Sequence, residues 1–284
     1  MSVSLEGAVD LHVHSAPDLI ERYAYDLDIA REARNAGMRG LVVKSHVLPT
    51  VGRVDQVNRA LGEEILYGGV ALNAGTGGVN PEAVRIALEQ GGRIVWLPTA
   101  WSANHARQER RAGADSFVGQ RLPGPDEELS VARDGSLLDE TRAVIDLVAE
   151  HDAVLGTGHV TADEIETVVS ACADRGADVL VNHPFFRITD LSIATQESLA
   201  DRGAMLEYCA YAVDSTAEHS AERVAAAVAR IGPEHCLLAT DYGQVGNPPV
   251  DGLAAFARSV VDAGLSETTV QRLIRDRPAD LLGL

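Results

Sequence analysis

Five of the nine histidines in this 284-residue chain stand where a short apolar run ends. His12 and His14 close DLHVH, Lys44 and His46 close LVVKSH, His159 closes VLGTGH, and His183 follows VLVN. Asp241 closes LLATD and Glu207 lies in GAMLEY. Successive strand residues alternate faces, so the pairs His12/His14 and Lys44/His46 each present two side chains to one side. Burying several imidazoles without partners costs kilocalories for each ring. A divalent cation supplies the missing partner, and imidazole with carboxylate is a ligand set for zinc, manganese or iron. Such an ion lowers the pKa of its water from about 15.7 to about 7 and polarises a facing carbonyl, so the chemistry implied is hydrolytic.

The chain has 23 arginines and one lysine, Lys44. Where arginine serves as the general cation, a retained lysine points to a need for a deprotonatable amine. The remaining histidines carry less. His151 and His235 precede apolar runs, His219 falls in a helical pattern, and His105 follows the fourth run closely enough to touch a ligand, as does Trp101.

Strand-like segments are expected at 7–14, 39–46, 64–73, 92–99, 152–159, 177–184, 203–208 and 235–241, mostly continuous and aliphatic, as for parallel strands covered on both faces. Amphipathic stretches separate them. Asn80-Pro81 opens one helix and Gly91 follows its end; Thr161 with Glu164 reads as a capping box. Strand alternating with helix about eight times predicts an α/β fold, a (β/α)8 TIM-like barrel forming a single domain over 1–284. An open doubly wound sheet is the competing architecture, but no GxGxxG turn follows the first strand. Residues 99–137 form a long polar loop or lid insertion after the fourth strand. In it, Arg107, Arg110 and Arg111 read as a solvated face. The terminal RPADLLGL reads as a helix packed on the barrel.

Forty-two acidic against 24 basic residues give a net charge of −18, which argues against nucleic acid or an anionic membrane as partner. An apolar fraction of 46% is ample for a core. No apolar run approaches the roughly 20 residues of a membrane span, and the N-terminus has no secretory pattern, so a cytoplasmic enzyme acting on a small molecule is expected, with a homo-oligomer compatible. Cys172, Cys209 and Cys236 are too scattered for a disulfide framework and are expected as buried thiols.

DLHVHSAPD, His159, NHP, ATDYG and the RPADLLGL tail together resemble the amidohydrolase superfamily of metal-dependent hydrolases over nearly the whole chain. The resemblance implies one metal on His12, His14 and Asp241, a second on His159 and His183, and Asp241 as the group that handles the proton of the attacking water. Typical binuclear members bridge their metals with a fourth-strand carboxylated lysine or glutamate, whereas the fourth strand here ends VWLPT. Lys44 could supply a carbamate bridge or hold substrate, and His46 could be a further ligand. AGMRGLVVKSH also resembles the second motif of PHP phosphoesterases. The expected function is hydrolysis of an amide, cyclic amide or lactone of a small molecule; the alternatives are PHP-like phosphoester hydrolysis and metal-dependent decarboxylation. In that pocket His183 or Lys44 would stabilise an oxyanion, Arg187 would pair with a substrate carboxylate, and Tyr208 would form a wall along with Trp101.

Overall fold

Aliphatic runs too short for helices pair side by side, and the amphipathic stretches between them fold back as helices. The computed structural model describes residues 3–214 and 220–284, so His219 lies outside the described residues. β1 (Val9–Val13), β2 (Gly40–Val43) and β3 (Leu66–Tyr67) form one parallel sheet in that order. β4 (Gly69–Ala71), β5 (Ile94–Trp96), β6 (Val154–Gly156), β7 (Asp178–Asn182), β8 (Met205–Cys209) and β9 (Cys236–Ala239) form a six-stranded parallel sheet, again in chain order. Gly68 alone separates β3 from β4. Beyond β9, Asp241 N–H donates to His12 O (2.8 Å), and His14 N–H donates to Tyr242 O (2.7 Å). The result is a single α/β domain built on parallel strands.

The expected helix signals act as read. Asn80 accepts hydrogen bonds from the Glu82 and Ala83 amides at the start of Pro81–Glu89, and Thr161 and Glu164 form the reciprocal capping box of Ala162–Arg175. Apolar residues from strands of both sheets, among them Val9, Leu11, Val42, Ile94, Trp96, Leu180 and Leu237, meet in one buried cluster. Ala279 and Leu282 of the terminal helix Arg277–Leu282 join that cluster. No helix among the described residues is long and apolar enough to cross a membrane.

The segment 99–137 is more ordered than a loop. It holds the helix Ala103–Arg111, capped by Ser102, and two small antiparallel ladders, Ser116–Phe117 with Gln120–Arg121 and Ala132–Arg133 with Ser136–Leu137. Hydrophobic periodicity could not reveal this helix, because the residues it buries include Asn104, His105 and Glu109. Asn104 earns its place through hydrogen bonds to the carbonyls of His159, Val160 and Ile188.

Candidate metal centre

The ends of β1 and β9 bring three ligand atoms together. His12 Nε2 lies 3.2 Å and His14 Nε2 3.1 Å from Asp241 Oδ1. Strand alternation sets the two imidazoles on one side, while a backbone turn delivers the carboxylate. Asp241 sits at φ +55° and His183 at φ +30°, left-handed conformations that cost about 1–3 kcal/mol each and concentrate at functional sites. Gly243, at φ +123°, completes the turn: a Cβ there would fall 1.7 Å from His14 O, so no other residue lets the chain pass this close.

Behind His12 runs a buried polar chain. Its Nδ1 is 3.0 Å from Glu207 Oε2, which also accepts from Asn182 Nδ2 (2.8 Å). Asn182 Oδ1 accepts in turn from the Gly158 amide. A carboxylate partner on Nδ1 favours the tautomer with its proton there and turns the Nε2 lone pair to the cavity. Asp10, two residues before His12, accepts from the His12 and Thr240 amides and from Thr240 Oγ1, fastening β1 to the end of β9. Burial raises its carboxyl to about 7.

Burial also keeps the imidazoles neutral. It lowers His12 and His183 to about 3 and drives His14, His46 and His159 well below the ordinary range. For His14 the next largest cause is the Arg22 charge. Two neutral imidazoles and a carboxylate oxygen thus converge, His14 Nε2 hydrogen-bonded to Asp241 Oδ1 and His12 Nε2 to Lys44 Nζ, a donor set that a divalent ion would take over. Four-coordinate ligands about 2.0–2.1 Å from an ion lie roughly 3.4 Å apart, close to the separations here. His14 Nδ1 and His183 Nδ1 are buried without hydrogen-bond partners. Among the described residues the other close ligand group is His12, Glu207 and Cys209; burial holds that cysteine thiol protonated, its pKa well above the usual value. The donor set of His12, His14 and Asp241 fits a divalent ion. Replacing Glu207 with glutamine is expected to weaken zinc affinity about 10–100-fold, read by competition with a chelating dye, by removing the charge that orients His12.

Lys44 is buried with Nζ 3.0 Å from His12 Nε2 and 5.4 Å above the Trp96 ring. Burial lowers its pKa, in keeping with the amine inferred from the lysine count. His46 stacks on His14 with ring centroids 4.9 Å apart, and its Nδ1 meets Thr99 Oγ1 at 2.8 Å. His159 and His183 stand next to each other, centroids 4.9 Å apart, and the His183 ring is 5.7 Å from that of His12.

The pocket-wall expectations are redirected. A cavity of about 290 Å³ is lined by His14, Lys44, His46, His159 and Asp241 together with Arg22, Ile20, Phe117, Phe186, Tyr211 and Gln244. His105 is behind this surface, its Nδ1 2.6 Å from His159 Nδ1. Arg187 is bound to Glu109 and stays outside the lining. Tyr208 lies between Glu207 and Cys209, both of which reach His12; the alternation of β8 turns its ring the other way, where the hydroxyl donates to Gln196 (2.8 Å). Trp101 is buried outside the lining, its amide held by Asn73 Oδ1. The cysteines are free and buried, as expected. Sequence reasoning missed Asp10, Asn182 and Arg22. The first two lie within the quoted motifs DLHVH and NHP, whereas Arg22 belongs to a loop with no strand-end signal.

Residues 7–207 match the model of a family described as "Family of unknown function (DUF6282)". No curated protein matches the chain. Among solved structures it is similar to an amidohydrolase from Pseudomonas aeruginosa, with 11% identity, a TM-score of 0.64, and coverage of 98% of this chain and 97% of that one. A lactonase from Listeria monocytogenes gives 14% identity and a TM-score of 0.60, covering 99% and 96%. A 2,6-dihydroxybenzoate decarboxylase from Rhizobium gives 11% and 0.57, covering 98% and 99%. At such identities the likeness is one of fold, shared with amidohydrolase-type enzymes. The PHP resemblance is not shown by these comparisons.

Proposed function

The chain belongs to the family of unknown function DUF6282, and we propose that it is a metal-dependent hydrolase opening an amide, cyclic amide or lactone bond of a small molecule. One observation carries this reading: His12 Nε2 and His14 Nε2 both lie within 3.2 Å of Asp241 Oδ1, beside a cavity that His14 and Asp241 line. His12, His14 and Asp241 would hold the ion, with zinc the first choice and manganese or iron compatible. When bound, such an ion supplies Lewis acidity to a water and to the substrate carbonyl.

The chain's own residues supply the rest. Asp241 remains 13% exposed in its side chain while His12 is sealed, so its carboxylate is the group that can take a proton from water and return it to the leaving group. Lys44 and His183 stand beside His12, positioned to face the oxygen on which charge develops. Glu207 fixes His12 and His105 fixes His159. The architecture in this reading is a closed (β/α)8 barrel, supported by the continuity of β3 and β4 through Gly68 and by the bonds joining His12 and His14 to residues 241–242. Phe117, Val118 and Gly119 of the 99–137 segment line the cavity, which supports a covering role for that segment.

The test is product analysis. Full-length protein reconstituted with zinc, manganese or ferrous iron is presented with lactones, cyclic amides, linear amides, aromatic carboxylic acids and phosphomonoesters. A new carboxylate supports the proposal. Release of carbon dioxide or of phosphate, with no hydrolysis of amide or lactone, replaces it with decarboxylation or phosphoester hydrolysis.

A further inference from the structure

Arg22 lies in the loop after β1, and its side chain is 1% exposed although it lines the cavity. Two anchors hold it there. Its backbone bridges Gln244 in antiparallel fashion, and Gln244 Nε2 donates to Asp241 O (2.9 Å), so Arg22 and the carboxylate of the metal centre are tied to the same turn. On the other side, Arg22 Nε donates to Asp18 Oδ2 (2.8 Å). Nη2 completes the ion pair at 2.6 Å from that same oxygen, and no hydrogen bond among the described residues reaches Nη1. Asp18 thus occupies the Nε–Nη2 edge of the guanidinium and leaves Nη1 as its open donor.

A guanidinium stays charged at every physiological pH, and a buried one with unfilled donors calls for an anion. The lining is unusual for so acidic a molecule. In a chain of net charge −18, the cavity lining holds Arg22, paired behind the wall with Asp18, and Lys44 beside the one lining carboxylate, Asp241. Its remaining walls combine apolar Ile20, Phe117, Val118 and Phe186 with the rings of His14, His46, His159 and Tyr211. We infer that the substrate carries a carboxylate, received by Nη1 of Arg22, on an apolar or aromatic body. That the reacting bond then lies toward Asp241 rests on the hydrolase reading. A carboxylate is favoured over a phosphate because one open donor, Nη1, suits a monoanion, and the second cation, Lys44, is already engaged by His12.

The experiment is calorimetric titration of the full chain, zinc-reconstituted and chelator-stripped, with benzoate, with benzamide as its neutral isostere, and with inorganic phosphate. Benzoate is expected to bind about tenfold tighter than benzamide in both forms. Arg22→Gln is expected to abolish that preference, and Arg22→Lys to restore part of it, at unchanged zinc content and circular dichroism. Equal binding of benzoate and benzamide overturns the inference, as does benzoate binding that Arg22→Gln leaves intact. Phosphate bound more tightly than benzoate through Arg22 overturns the carboxylate assignment. If Arg22→Gln fails to fold, the benzoate–benzamide comparison on the wild-type chain still decides. Zinc binding with no charge preference sinks the inference alone; a charge preference without zinc binding sinks the hydrolase reading and leaves the anion site standing.

Discussion

Replacing His12 and His14 together with alanine is expected to strip the protein of its divalent ion and abolish turnover. The variant removes two of three converging ligand atoms and leaves Asp241 Oδ1 with no imidazole at 3.1–3.2 Å. One remaining carboxylate is a poor site for zinc, so metal content after dialysis should fall from about one ion per chain to under about a tenth. The same loss appears in stability. An ion that binds only the folded chain adds about 2.7 kcal/mol at a hundredfold excess over its Kd, so zinc should raise the melting temperature of the wild type and leave the double variant unmoved. Both histidines are buried, and truncation also leaves Glu207 without its imidazole partner. Circular dichroism of the metal-free forms therefore serves as the control for folding. A double variant that keeps stoichiometric zinc contradicts the assignment.

Asp241→Asn is the second large effect. Asparagine preserves the shape of the side chain and its Oδ1, and the turn at φ +55° tolerates it, since asparagine adopts left-handed conformations readily. What disappears is the negative charge and the capacity to accept a proton. Turnover is expected to fall about 10²–10⁴-fold, the usual contribution of a positioned general base, while His12 and His14 retain part of the metal affinity. Steady-state kinetics at saturating zinc measure it. A near-normal rate removes Asp241 from the proton-transfer role.

The parts of the site legible in the sequence were those written in a strand's own grammar. Short aliphatic runs ending in His12, His14, His46, His159 and His183 announced both a parallel sheet and the end of it that carries chemistry. The nine strands of the two parallel sheets lie inside the expected segments to within a residue, with 64–73 divided at Gly68, whereas the two small ladders of 99–137 had no such signal. Lone Lys44 was legible from composition. The wall residues were not legible, because proximity along the chain says nothing about which way a side chain turns. Tyr208 lost the cavity to the alternation that gave it Glu207, and Arg187 was claimed by Glu109 of a helix that polar composition had concealed. Arg22 was hidden for the complementary reason: the bridge to Gln244 joins loops more than two hundred residues apart, a tertiary contact with no local pattern.

A cation belongs among His12, His14 and Asp241, and diffraction across the zinc absorption edge from crystals grown with zinc decides whether one binds there. An anomalous peak is expected about 2.0–2.2 Å from His12 Nε2, His14 Nε2 and a carboxylate oxygen of Asp241. A fully occupied zinc elsewhere, with these three side chains hydrogen-bonded only to one another or to water, would contradict it.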